Sequence, residues 1–117
     1  MFDFTKSVSY ADSATKNKFH SQGRAALKKL ATALGLSLGT YDIRSNKGGI
    51  AVSGEVTLHG ESIYIQVSQP WGGGAGILVR SCKGRKDYTG GRNNFLDSNL
   101  LNDIPVLAKK IKGMVFS

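Results

Sequence analysis

The chain has 117 residues, 40% of them apolar and 21% charged, which fits one domain able to bury a core without metal or disulfide staples. Sixteen Lys and Arg against eight Asp and Glu give a net charge of +8 and a pI near 9.8, so the expected partners are anionic: nucleic acid, an acidic protein or an anionic membrane surface. Cys82 is the only cysteine, which excludes an intrachain disulfide, and no apolar run reaches the ~20 residues that span a bilayer.

The opening MFDFTKSVSY lacks a basic region followed by an apolar run, so no signal peptide is read and a cytoplasmic location is expected. Phe2, Phe4, Val8 and Tyr10 fall at mostly even spacing, as in a short strand or an arm laid on the core. Ser9, Asp12 and Ser13 are N-cap residues, and a helix is predicted from near residue 12 to about Leu34. Phe19, Gly23, Ala26, Leu27, Leu30 and Leu34 form its buried stripe, and Gly35 supplies the stop. Lys18, Arg24, Lys28 and Lys29 point outward, as a solvated face or as phosphate contacts at Arg24 and Lys28. His20 beside the stripe has no second ligand one turn away and reads as structural rather than metal-binding.

After Gly39 the period changes from that of a helix to that of a strand. Tyr41 and Ile43 alternate with Asp42 and Arg44, and Ser45 to Gly49 read as a turn. Residues 50–58 form the clearest strand, with Val56 and Leu58 inward and Glu55 and Thr57 outward. A four-residue loop, His59 to Ser62, closes a hairpin that sets Leu58 opposite Ile63 and Glu55 beside Gln66. Pro70 ends the returning strand, Trp71 follows, and Gly72 to Gly76 read as a mobile connector. Ile77 to Cys82 make the next strand, with Ile77 and Val79 inward. Asp97 or Ser98 caps a short turn, and Asp103 with Pro105 starts a last helix carrying Lys109, Lys110 and Lys112. The expected fold is one α+β domain over residues 1–117. It is a two-layer sandwich, an antiparallel sheet of three to four strands flanked by an N-terminal and a C-terminal helix.

The stretch from Arg80 to Phe95, RSCKGRKDYTGGRNNF, holds five basic residues and one acid, so it carries +4 of the chain's charge. Its Arg80, Lys83, Arg85, Lys86 and Arg92, with Lys47 from a loop expected at the same edge, are the candidate phosphate contacts. Asn93 and the backbone of Gly84, Gly90 and Gly91 supply donors. Tyr88, Trp71 and Tyr64 are candidates to stack on unpaired bases, each worth roughly 1–3 kcal/mol.

Catalytic patterns are sparse. The acids are scattered, the two histidines stand apart, and neither a G-x-S-x-G elbow nor a phosphate-binding G-x-x-x-x-G-K-[ST] loop occurs, so no cofactor and no metal are expected. Cys82, beside Arg80, Lys83 and Arg85, is a candidate nucleophile, though a lone cysteine at a strand end is more often inert. The α-β-β-β-α order is similar to the core of restriction-type nucleases, but the returning strand IYIQVSQ lacks their acid-x-Lys pattern. It also resembles that of double-stranded-RNA-binding domains, in topology alone and without their lysine cluster at a helix start.

The leading expectation is a non-catalytic nucleic-acid-binding accessory protein that uses the basic loop. The alternative is a small interaction or inhibitor protein of the phage or mobile-element type, docking on an acidic or nucleic-acid-binding surface. Third is an enzyme with Glu55 as general base and Tyr64 and Arg80 beside it on the polar sheet face. That face, or an edge strand, also suits a homodimer.

Overall fold

The computed structural model describes residues 13–46, 55–68, 76–84 and 94–115. The expected N-terminal arm, Lys47 to Gly54, Pro70 with Trp71, and the heart of the basic loop (Arg85, Lys86, Tyr88, Arg92 and Asn93) lie outside the described residues. The order is α1 (Ser13–Ala33), β1 (Tyr41–Asn46), β2 (Glu55–Gly60), β3 (Ile63–Ser68), β4 (Ile77–Ser81), β5 (Asn94–Leu96), a 3-10 helix (Ser98–Asn102) and α2 (Ile104–Val115). The strands form one antiparallel sheet whose spatial order is the chain order. The expected α+β architecture is present, with five strands rather than three to four. The addition, β5, has three residues, too few for a two-residue period to show in the sequence.

Helix α1 forms because its apolar residues recur at helical spacing, and it buries Phe19, Gly23, Leu27 and Leu30 along one face, with Leu34 buried just past its end. Gly35 ends it at φ 79°, where a Cβ is strained, and the amides of Leu36 and Gly35 return to the carbonyls of Ala31 and Thr32 at 3.0 Å each. Val56, Leu58, Ile63, Ile65, Val67, Ile77 and Val79 line the inner sheet face and join α1, α2 and Leu101 in one core. Among the described residues no helix is long and apolar enough to cross a membrane.

Strand β2 runs on to Gly60, so only Glu61 and Ser62 connect it to β3. Leu58 therefore pairs with Ile65 rather than Ile63, and Thr57, not Glu55, pairs with Gln66. A shift of two residues keeps every side chain on its expected face but changes its neighbours. Gly76 departs from the expected mobile connector. It is buried, its carbonyl accepts from the Ser68 amide at 2.9 Å, and its amide donates to the Ser98 hydroxyl at 2.9 Å. Asp97 caps the 3-10 helix by accepting from the Asn99 amide at 3.0 Å, and Asp103 caps α2 through Val106 at 3.4 Å.

Leu58, fully buried at the centre of the sheet, sets the first expected outcome. Leu58→Ala lowers the unfolding free energy in urea by about 2–5 kcal/mol. Leu38→Ser, at a side chain 88% exposed, changes it by less than about 0.5 kcal/mol.

Candidate nucleic-acid interface

The outer sheet face, on the side away from the helices, is built in rows of cross-strand neighbours. One row runs Asp42, His59, Tyr64, Arg80 across β1 to β4. The next runs Arg44, Thr57, Gln66, Leu78, Phe95 across all five strands.

The first row is a compact polar layer. The Arg80 guanidinium carbon lies 4.1 Å from the centroid of the Tyr64 ring, a cation–π contact. His59 meets the same ring edge-to-face, with centroids 5.1 Å apart and planes at 89°. The Tyr64 hydroxyl donates to Gln66 Oε1 at 3.2 Å, which ties this row to the next. Arg44 Nη2 stands 3.2 Å from His59 Nδ1 and 3.7 Å from Asp42 Oδ2. A guanidinium only donates, so Nδ1 is the acceptor and the ring is neutral, with its proton on Nε2. His59 is completely buried, and burial holds its pKa below the usual histidine value of 6.5, helped by the charges of Arg44 and Arg80. The backbone of Gly84 and the Asp42 carboxylate pull the other way.

The second row is accessible at both of its ends. Phe95 is 63% exposed, Leu78 and Gln66 are partly exposed, and the Arg44 side chain is 40% exposed. Arg44 and Phe95 stand at the two edges of this row, with Thr57 and Gln66 between them as hydrogen-bonding groups.

Two of the sequence-predicted contacts fall among the described residues, and the structure separates them. Lys83 is exposed just beyond β4, whereas Arg80 is only 5% exposed and lies on Tyr64. Arg80 is thus a support of the face rather than a group a phosphate can reach, and Tyr64 offers its ring to Arg80 instead of to a base. Lys47, Arg85, Lys86, Tyr88, Arg92 and Asn93 lie outside the described residues. Asn46, which precedes Lys47, pairs with Glu55 at the sheet end opposite Ser81, from which β4 leads into the basic segment.

Other candidates are also relocated. Glu55 pairs with Ser68, four residues along β2 from His59 and so roughly 13 Å from the Tyr64–Arg80 row, which dismantles the expected acid–Tyr–Arg cluster. Cys82 is buried and its thiol donates to the Gly60 carbonyl at 3.4 Å, so it holds the end of the hairpin instead of facing a substrate. Arg24 donates to the Ile43 carbonyl at 3.2 Å and the Ser45 hydroxyl at 3.3 Å, clamping α1 to the edge strand β1. His20 is buried edge-to-face against Phe19, with centroids 5.2 Å apart. Among the described residues, no three of His, Cys, Asp and Glu come together as a metal site.

Sequence reasoning missed Arg44 and His59 because both depend on the register. His59 joins the row only once β2 extends past it. Comparison with protein-family models, curated proteins and solved structures finds no match for this chain.

The neutral, buried His59 gives stability a pH dependence whose sign is set by its lowered pKa. The unfolded ring takes up a proton more readily than the folded one. Stability is therefore fully present above about pH 6.5 and falls as pH drops below it, towards the depressed folded value. His59→Asn keeps an acceptor and removes the titration, so unfolding measured across this range shows a shallower acid loss than in the wild type.

Proposed function

We propose that this chain is a non-catalytic nucleic-acid-binding accessory protein. It contacts its partner through the outer sheet face and the basic, glycine-rich segment that leaves β4. The observation that carries the reading is the exposed row: the Phe95 ring at one edge, the Arg44 guanidinium at the other, and Thr57 and Gln66 between. A strand of unpaired nucleotides needs those three things: a π-face for a base, a cation for phosphate and hydrogen-bonding side chains. The neighbouring row holds two of these side chains, Arg44 through His59 and Asp42 and Gln66 through Tyr64, which reduces the ordering cost of binding. Lys83 opens the basic segment and Phe95 closes it, so Arg85, Lys86, Tyr88, Arg92 and Asn93 belong to a stretch that starts just beyond β4 and ends on this face.

A second reading, a phage- or mobile-element-type protein that docks on another protein, is favoured by the adjacency of Phe95 and Leu78, an apolar pair on an accessible face. A stoichiometric protein partner retained after nuclease digestion supports docking, and loss of all partners supports nucleic acid.

The test is affinity for labelled single- and double-stranded DNA and RNA at several salt concentrations. Lys83, Arg85 and Lys86, all reversed to Glu, abolish single-strand binding and leave the fold intact. Phe95→Ser weakens single-strand binding by the roughly 1–3 kcal/mol of one lost stacking contact. Wild-type affinity in both variants removes this interface from the protein.

A further inference from the structure

The net charge is not spread over the molecule. Five of the sixteen basic residues lie in α1 (Lys16, Lys18, Arg24, Lys28, Lys29) and three in α2 (Lys109, Lys110, Lys112). Neither helix contains an acid, so the helices carry a charge equal to the whole +8, and the remaining eight basic residues balance the eight acids. Lys18, Lys28, Lys29, Lys109, Lys110 and Lys112 are all exposed, on elements that cover the sheet face opposite Arg44 and Phe95.

Helix stability does not account for this pattern. Lys112 suits the last turn of α2, but α1 has no basic residue in its last turn. Neither helix has an acid in its first turn, and Arg24 with Lys28 places like charges one turn apart on α1. The nearby Asp103 is engaged in capping α2. A protein interface centres on a buried apolar patch. Of the two helices, only Val106 is a large apolar side chain standing exposed among the described residues. A phosphate backbone asks for cations and no apolar centre.

We propose that the outer surface of the two-helix layer is a second nucleic-acid surface. It binds the sugar–phosphate backbone without reading sequence, on the opposite side of the sheet from the Arg44–Phe95 row. It rests on the reading above in taking the partner to be nucleic acid, and its residues are separate from those of the sheet face.

The experiment compares wild type, a helix variant (Lys28, Lys29, Lys109 and Lys110 all to Gln) and the Lys83, Arg85, Lys86→Glu variant, each titrated with a random-sequence 20-base-pair DNA duplex across a salt series. Lys and Gln have similar helix propensities, and circular dichroism checks that the helices persist. The expected helix-variant result is at least a tenfold loss of affinity and a salt slope shallower by about 3 to 4. The pair variants, Lys28 and Lys29→Gln or Lys109 and Lys110→Gln, each give about half that change in slope. Wild-type affinity and slope in the helix variant, alongside lost binding in the Lys83, Arg85, Lys86→Glu variant, overturns this surface and leaves the sheet-face reading standing. A wild type that binds no duplex and no single strand overturns both. Polyglutamate that displaces the labelled duplex as well as unlabelled duplex does, at equal charge, overturns the assignment to nucleic acid.

Discussion

The two-residue turn at Glu61 and Ser62 sets the pairing of β2 with β3, and that pairing decides which polar side chains meet on the outer face. With His59 opposite Tyr64 and Tyr64 opposite Arg80, an imidazole, a phenol ring and a guanidinium come into one layer. Each supplies what the next lacks. The Tyr64 ring faces the Arg80 charge, and Arg44 donates to the neutral His59 ring. The same register sends the apolar residues of β2, β3 and β4 to the helices. One pairing therefore builds both the core and the face opposite it.

The division of labour between the two sides follows. The inner side is closed by α1 and α2, which expose six lysines among their described residues and contain no acid. The outer side spends its buried polar groups on rigidity and presents Arg44 and Phe95. Arg80 and Lys83 stand three residues apart in one basic stretch, yet one is buried against Tyr64 and the other is exposed beyond β4. Charge counted along a chain does not tell these roles apart; burial does.

The helices and the faces of the strands were legible because each rests on a local period. Phe19, Leu27, Leu30 and Leu34 announce α1, and Gly35 announces its end at positive φ. Ile63, Ile65 and Val67 alternate plainly. The register was harder to read. Two-residue hairpin turns are commonly marked by Asn-Gly or Asp-Gly, and Glu61-Ser62 carries no such mark, with neither residue at positive φ. The alternation is indifferent to a shift of two, so Glu55 was expected beside the Tyr64–Arg80 pair that it stands well away from. The burial of Gly76 depends on Ser98, 22 residues later in the chain, and no local pattern reveals that hydrogen bond.

The most direct measurement is backbone amide NMR of the full chain as an unlabelled single-stranded oligonucleotide is added. The account predicts that shifts concentrate on Arg44, Thr57, Gln66, Lys83 and Phe95, with a separate set at Lys28, Lys29, Lys109 and Lys110, while core amides such as those of Leu58 and Ile65 stay still. Shifts confined to other surfaces, or none at concentrations that saturate binding, contradict it.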